Sequence, residues 1–350
     1  MPEMETNPEY LEQTDYRKIL ELLETPRKIL VTSHTNPDGD AIGSALAFYG
    51  YLVRKGHSVS VMIPDPEPAF LSWMPFREKL LVFRDDPGKC REIISSAELI
   101  FAVDYNGLGR LSQAEQPVRE SNAVKILIDH HILPSPDFDL KISFADISST
   151  AEIIYDLIAI AGDLDLVDKA IAECIYTGIV TDTGSFSYSC NYVKTYLITA
   201  DLFRKGIDGE HLHRLIYDTY SENRMRLLGF SINDKLVVLK DFHAAYISLT
   251  LDELNRFRHR IGDTEDIVNF ALSVDGVNMA ALFYEKEDGI VKVSLRSKGN
   301  FAVNSIAREY YNGGGHRNAA GANSHHSLGE TIRIFLDLLP RFREQLKSVY

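Results

Sequence analysis

His34-Thr-Asn-Pro-Asp38-Gly-Asp40 comes one residue after the apolar run Lys28-Ile-Leu-Val-Thr32. A short apolar run of this kind is typical of a buried strand, and Asn-Pro-Asp-Gly is typical of a turn. The turn segment contains one imidazole and two carboxylates, which are groups that bind metal ions. The pattern predicts a strand that places three metal-ligating side chains at one edge of a sheet, although Asn36-Pro-Asp-Gly39 taken alone is better explained as a plain turn.

Alternating strands and helices in the first half of the chain predict a mostly parallel sheet flanked by helices, which is an α/β fold. Asp104 directly follows the apolar run 99–103, and Asp129-His130-His131 directly follows 124–128. The carboxyl ends of parallel strands meet at one edge, where ligands of such folds bind. We expect strands and helices in the following ranges: strands at 28–32, 58–63, 98–103 and 124–128, and helices at 41–55 and 87–96.

The pattern changes after the helical stretch 149–181, which ends at Asp182. A more charged helical segment follows, and then strands alternate with helices in a different order, which predicts a smaller α+β domain. We expect a catalytic domain at 1–191, a helical connector at 192–232 and a substrate-binding domain at 233–350. The active site is expected in the cleft between the two domains.

Composition restricts the substrate. The chain has 350 residues and a formal net charge of −13. Proteins that bind long nucleic acid electrostatically have a basic surface, which this composition does not suggest. We therefore expect a short RNA or a small phosphorylated nucleotide as substrate and no long duplex.

Other features of the sequence indicate a cytoplasmic protein. We find no apolar stretch of membrane-spanning length, and the N-terminus lacks the pattern of a signal peptide, so no membrane association is expected. Cys90, Cys174 and Cys190 are widely separated, which fits reduced thiols. A homo-oligomer is compatible with this composition.

The candidate ligands provide nitrogen and carboxylate oxygen and no sulfur. This donor set suits two divalent ions, with Mn²⁺ favoured and Mg²⁺ or Co²⁺ also suitable. Taken singly, each cluster has an ordinary explanation: Asp104 and Asp182 as helix caps, and the paired histidines as surface residues. Their coincidence at strand and helix ends favours a metal centre. The candidate residues are His34, Asp38, Asp40, Asp104, His130, His131 and Asp182.

These clusters resemble, in order and spacing, the motifs of the DHH phosphoesterase superfamily. The segment 34–44 is similar to the first motif, Val103-Asp104 to the second, Asp129-His130-His131 to the third and Thr181-Asp182-Thr-Gly to the fourth. The tail segment Gly313-Gly-Gly-His316-Arg-Asn-Ala-Ala-Gly321 resembles the glycine-rich signature of the DHH-associated C-terminal domain.

The resemblance implies a role for each residue. His34 and Asp38 would bind one ion, Asp40, His130 and Asp182 the other, and Asp104 would bridge the two. His131 would face the scissile phosphate as a catalytic residue, and Asp129 would orient the ligand histidine. The remaining matched residues, Arg296, Gly314, Gly315 and His316, would bind substrate, whereas Arg110 is a weaker candidate.

Within the superfamily the chain resembles the bacterial branch that combines oligoribonuclease and 3′-phosphoadenosine-5′-phosphate phosphatase activities. This resemblance implies hydrolysis of short oligoribonucleotides to mononucleotides and conversion of the bisphosphorylated nucleotide to AMP. Three alternatives remain open: a cyclic or linear dinucleotide phosphodiesterase, a manganese pyrophosphatase of the same superfamily, and a non-catalytic nucleotide-binding module. The glycine-rich tail segment argues against the pyrophosphatase.

Overall fold

The computed structural model describes residues 15–260 and 262–348. The chain forms two compact units, one ending at Thr219 and the other beginning at Tyr220. The domain limits and the cleft given above stay predictions. Among the described residues, no helix is long and apolar enough to cross a membrane.

The N-terminal unit contains a six-stranded, fully parallel sheet with helices on both faces. Its strand order is β3-β2-β1-β4-β5-β6. The elements in chain order are α1 (Tyr16–Leu22), β1 (Lys28–Thr32), α2 (Gly39–Arg54), β2 (Ser58–Ile63), β3 (Leu80–Val82), α3 (Pro87–Ser96), β4 (Leu99–Val103), α4 (Glu115–Glu120), β5 (Val124–Asp129), β6 (Leu140–Ser143), α5 (Thr150–Ile160), α6 (Lys169–Asp182), α7 (Val193–Arg204) and α8 (Gly209–Tyr217).

Strand side chains alternate between two cores, because successive residues of a strand face opposite sides. Val31 and Phe101 pack into the core formed with α2, α5 and α6. Leu30 and Ile100 pack into the core formed with α3 and α4. Burial on both faces explains why these strands read as continuous apolar runs.

The strand order reverses between β1 and β4, since the chain moves outward in one direction from β1 and in the other from β4. Ligands of open α/β sheets bind at the carboxyl ends of the strands beside such a reversal. His34 follows β1 and Asp104 follows β4. The topology therefore brings the first two candidate motifs together.

The C-terminal unit contains a mixed sheet of order β11-β12-β10-β9-β8-β7, in which only β8 and β9 pair in parallel. Helices α12 and α13 cover one face, and α9 to α11 pack on the other. The elements in chain order are α9 (Glu222–Asp234), β7 (Leu236–Leu239), β8 (Ala244–Leu249), α10 (Leu251–Arg256), α11 (Ile267–Leu272), β9 (Met279–Glu285), β10 (Val291–Ser297), α12 (Val303–Tyr311), β11 (Gly314–His316), β12 (Ala319–Ser324) and α13 (Leu328–Lys347).

The α/β fold, the parallel sheet and the separate C-terminal α+β part are confirmed. The segment Gly313-Gly-Gly315 is part of a hairpin, because Gly314 begins strand β11, which pairs with β12. Glycine and alanine have low strand propensity, so this hairpin has no recognisable strand pattern.

Candidate metal centre

The loop after β1 is held by the capping of α2. One carboxylate oxygen of Asp38, Oδ1, accepts hydrogen bonds from the backbone amides of Asp40 and Ala41 at 3.1 and 3.0 Å. An aspartate at this position is a preferred N-cap. The other oxygen, Oδ2, remains 4.0 Å from Nε2 of His34. The segment can therefore both form a turn and provide a metal ligand, because each role uses a different oxygen of Asp38.

His34 presents Nε2 toward carboxylates. Its Nδ1 lies 2.8 Å from its neighbour's carbonyl, the Thr35 oxygen, so Nδ1 carries the proton and Nε2 a lone pair. Nε2 lies 3.5 Å from Oδ2 of Asp104. Two hydrogen-bond acceptors face one another here, which is unfavourable unless a cation or a proton lies between them.

Asp104 occupies a strained backbone position at the carboxyl end of β4. Its φ of 66° falls in the left-handed region, which is uncommon for residues other than glycine and is concentrated at functional sites. Oδ2 faces His34, and Oδ1 lies 3.5 Å from Nε2 of His130. Each oxygen of this one carboxylate therefore faces a different histidine.

The second group of ligands surrounds His130. Nε2 of this histidine lies 3.4 Å from Asp182 Oδ2 and 3.8 Å from Asp40 Oδ2. Asp40 is fixed by the backbone amides of Thr150 and Ala151, at 2.7 and 3.0 Å, at the amino end of α5. Asp182 is the last residue of α6. Carboxylates from α2 and α6 thus converge on one imidazole.

The structure brings these six residues together in two groups. In each group, ligand atoms from all members lie within 4.8 Å of one another. Two ligands about 2.1 Å from one ion are separated by roughly 3.0–3.6 Å at common coordination angles, close to the observed nitrogen–oxygen distances. The groups are His34, Asp38 and Asp104, and Asp40, His130 and Asp182.

Electrostatics also fit a cation. Burial and the neighbouring Asp38 raise the pKa of Asp40 to about 6. Burial and nearby carboxylates, Asp40 first, raise the pKa of Asp104 well above its usual value. Burial lowers the pKa of His130 to about 4, so its imidazole is neutral at pH 7 and can donate a lone pair. For these carboxyl groups to be ionised together beside neutral imidazoles, a compensating positive charge is needed.

Asp129 contacts His131, the second histidine of the Asp129-His130-His131 segment. It is fully buried, and its Oδ1 accepts a hydrogen bond from Nδ1 of His131 at 2.7 Å. His130 instead bonds to the backbone of Ile147. We expected Asp129 to orient the ligand histidine His130. In the structure it bonds to His131 instead, and so orients that histidine. Although burial opposes protonation, the hydrogen bond to Asp129 raises the pKa of His131.

Gly178 on α6 is a residue of the site that the sequence did not reveal. An added Cβ at this position would lie 2.6 Å from Oδ1 of Asp40 and 2.5 Å from Cβ of Ala151. The glycine lets α6 approach the ligand and the amino end of α5. A glycine inside a helical pattern is the available signal, since it usually has a packing reason.

We expect Gly178→Ala to weaken divalent-ion binding and to lower the free energy of unfolding by about 1–3 kcal/mol, because the methyl group overpacks the contact with Asp40. Gly229→Ala is the matched control, since Gly229 also lies inside a helix but has open space around its Cβ position. That change should be neutral or stabilising by up to about 1 kcal/mol. Urea unfolding and Mn²⁺ titration test both, and equal effects of the two substitutions would contradict this packing role.

The C-terminal candidates lie together in the C-terminal unit. Ala319 on β12 pairs with Arg296 on one side and with His316 on the other, so the three side chains share one face of the sheet. Neighbouring strands are about 4.8 Å apart, which places Arg296 and His316 about 10 Å from each other across a small alanine.

The glycines of this hairpin differ in their surroundings. A Cβ at Gly313 or Gly315 would lie within 2.3 or 2.5 Å of a backbone oxygen of the hairpin, and Gly315 has a φ of 132°. Packing of the hairpin alone therefore requires these two glycines. A Cβ at Gly314 would meet no atom within 4 Å. The backbone at Gly314 is therefore accessible to a ligand.

Lys292 is a further basic residue that the sequence did not single out. It lies on β10, four residues before Arg296 on the same face, and its amine is 3.6 Å from the Cβ position of Gly321. Apolar and polar residues alternate along the β10 sequence, in step with its buried and partly exposed positions, and this alternation could have identified Lys292.

The chain matches two protein-family models and is similar to a known protein over nearly its whole length. Residues 28–179 match the N-terminal domain of the DHH family, and residues 246–349 match the DHHA1 domain. The bifunctional oligoribonuclease and PAP phosphatase NrnA of Bacillus subtilis is 30% identical over 331 residues, which cover 93% of this chain and 97% of that protein.

A solved structure and a more distant relative extend the comparison. The crystal structure of an exopolyphosphatase-related protein from Bacteroides fragilis has a TM-score of 0.90 and 38% identity, covering 95% of this chain and 97% of that one. The cyclic-di-AMP phosphodiesterase GdpP of Geobacillus thermodenitrificans is 24% identical over 94% of this chain and 50% of that protein.

Proposed function

Since this chain belongs to the DHH family and is a hydrolase acting on phosphoester bonds, we propose that it cleaves short oligoribonucleotides to mononucleotides and dephosphorylates 3′-phosphoadenosine 5′-phosphate to AMP. NrnA of Bacillus subtilis bears both activities in its name and matches this chain over nearly its whole length. The alternative is a cyclic or linear dinucleotide phosphodiesterase, in line with the more distant likeness to GdpP.

The observation that carries the proposal is the orientation of Asp104. Its two oxygens face Nε2 of His34 and Nε2 of His130, each at 3.5 Å. A carboxylate in this orientation can bridge two cations. His34 and Asp38 would bind one ion, and Asp40, His130 and Asp182 the other. Mixed imidazole and carboxylate donors favour Mn²⁺, with Mg²⁺ and Co²⁺ as alternatives.

The ions would supply an activated water and neutralise charge on the phosphate in the transition state. His131 would hold the scissile phosphate. Its Nδ1 donates to Asp129, and Nε2 would contact a phosphate oxygen. Asp129 would thereby act as a positioning residue for His131.

The C-terminal unit would bind the nucleotide part of the substrate. Arg296 provides a planar donor group that suits a phosphate. His316 lies on the same sheet face, and the open space beside Gly314 would let a ligand approach the backbone of the Gly314–Gly315 segment closely. These features fit a small substrate better than a long duplex.

We also place the protein in the cytoplasm. Cys90, Cys174 and Cys190 are buried free thiols, as expected for a reducing compartment. A homo-oligomeric state stays a prediction.

A substrate panel tests the proposal. With Mn²⁺ present, the purified chain is expected to hydrolyse RNAs of two to five nucleotides and to release phosphate from 3′-phosphoadenosine 5′-phosphate. Linear and cyclic di-adenylate are included as competitors for the assignment. Turnover of the cyclic compound alone would overturn the proposal in favour of a cyclic dinucleotide phosphodiesterase, and no turnover of any member would favour a nucleotide-binding module.

Lys292→Ala should affect longer substrates more than short ones. Lys292 lies four positions before Arg296 on the strand, a separation of about 13 Å, which would place its amine near a phosphate further along the RNA. We expect kcat/KM to fall several-fold for a pentanucleotide and little for the bisphosphorylated mononucleotide. The slope of log K against log salt for the pentanucleotide should decrease by about 0.7.

Lys286→Ala is the control for Lys292→Ala. Lys286 belongs to the turn between β9 and β10 and pairs with Asp288 at 3.1 Å. Its removal changes net charge equally and should leave kcat/KM unchanged. The same loss on all substrate lengths with Lys292→Ala would argue against a contact with a distant phosphate.

A further inference from the structure

Thr150 contacts both ligand groups of the metal centre. It is the first residue of α5 and is fully buried. Its backbone amide donates to Oδ2 of Asp40 at 2.7 Å, and its hydroxyl donates to Oδ1 of Asp104 at 2.9 Å. Thr150 thus bonds to two carboxylates: that of Asp40, which belongs to the His130 group, and that of Asp104, which faces both histidines.

The hydroxyl of Thr150 bonds the oxygen of Asp104 that faces His130. A carboxylate can rotate about the bond to its Cβ, and a directed hydrogen bond to one oxygen restricts that rotation. With Oδ1 held, Oδ2 remains directed at Nε2 of His34, 3.5 Å away. Hydrogen bonds to metal ligands commonly set ligand orientation in this way.

The position of Thr150 is itself well determined. Ser149 caps α5, accepting from the amide of Glu152 at 3.2 Å. Glu152 is buried and accepts hydrogen bonds from Ser148 and from Thr195 on α7, at 2.5 and 2.8 Å. The amino end of α5 is therefore anchored to the body of the unit independently of the metal ligands.

We propose that Thr150 is a positioning residue, whose hydroxyl fixes the rotation of the Asp104 carboxylate so that one oxygen serves each ion. The inference rests on the two-ion centre of the proposed function. It extends that centre to a residue outside the four motifs and assigns it a role in binding the ions as a pair.

Mn²⁺ titration of the metal-free full-length chain by calorimetry tests the inference without measuring activity. The wild-type chain should bind two ions. Thr150→Val removes the hydroxyl at similar volume and should weaken at least one binding step by about 10- to 100-fold. Thr150→Ser keeps the hydroxyl and should bind within a few-fold of wild type. Thr150→Ala is measured as well, in case valine prevents folding, and should show the same loss.

Thr331→Val is the matched control, because Thr331 is also a fully buried threonine and its hydroxyl is hydrogen-bonded to Ser324 at 2.8 Å in the C-terminal unit. It should lower stability and leave Mn²⁺ binding unchanged. Wild-type binding by Thr150→Val, failure of Thr150→Ser to retain affinity, or an equal loss in Thr331→Val would overturn the role of Thr150 alone. A wild-type chain that binds no Mn²⁺ would instead overturn the metal centre of the proposed function.

Discussion

Asp104→Asn is expected to reduce kcat by about a thousandfold or more, because several kcal/mol of charge stabilisation depend on the ions that Asp104 would bridge. Asparagine keeps the shape of aspartate and can still accept the hydrogen bond from Thr150. It cannot provide an anionic oxygen to both ions. Hydrolysis of a short RNA in Mn²⁺ measures the loss.

Whereas kcat should fall, the stability of the metal-free protein should rise in Asp104→Asn. Asp104 is buried, and Asp40 and other carboxylates surround it, so its negative charge is unfavourable in the metal-free protein. We expect the metal-free variant to unfold at a higher temperature than metal-free wild type at pH 7.5. A catalytic loss without a loss of fold would separate the chemistry of Asp104 from its structural environment.

Asp163→Asn is the control for both measurements. Asp163 lies outside the metal groups and accepts hydrogen bonds from Tyr51 at 2.7 Å and Lys55 at 2.9 Å. Its replacement should lower stability and leave kcat unchanged. Turnover close to wild type in Asp104→Asn would contradict the bridging role.

Removal of divalent ions by a chelator is expected to abolish turnover and to expose a pH-dependent instability. Burial and Asp38 raise the pKa of Asp40 from 3.8 to about 6, so the folded chain holds a proton that the unfolded chain releases. The stability contributed by protonated Asp40 is present below pH 4 and is lost as the pH rises through 6. Added Mn²⁺ should restore stability above pH 6, since a ligand of the folded state stabilises it.

Comparison with Asp40→Asn isolates this effect from other titrating groups. Urea unfolding in chelator at pH 4.5, 5.5, 6.5 and 7.5 gives the difference in unfolding free energy between wild type and the variant. Wild type should lose stability relative to Asp40→Asn as the pH rises. A difference that does not vary with pH, or no stabilisation of wild type by Mn²⁺, would contradict this account.

The residues of the metal groups could be predicted because they follow strands whose apolar runs are continuous. β1, β4 and β5 are central and buried on both faces, and the topology then determines which edge Asp104 and His130 share. Short peripheral strands did not show this pattern. β3 has three partly exposed residues, and β6 has one buried residue among four, so neither pairing was predicted.

Contacts that depend on packing between distant elements were also beyond the sequence. Gly178 matters because α6 lies against Asp40, and Thr150 because α5 begins beside Asp104. Neither residue belongs to a recognisable motif. Gly178 contacts Asp40, which lies more than a hundred positions earlier in the chain, and Thr150 bonds to Asp104, which lies 46 positions earlier. Similarly, the sequence places Asp129 beside both His130 and His131, but whether Asp129 bonds to His131 or to His130 depends on side-chain direction.

Anomalous diffraction from crystals of the full chain grown with Mn²⁺ examines the central claim, which is that Asp104 bridges two ions. We expect two manganese peaks about 3.5–4 Å apart, with one oxygen of Asp104 bound to each. His34 and Asp38 should bind one peak, and Asp40, His130 and Asp182 the other. A single peak, or two peaks of which only one contacts Asp104, would contradict it.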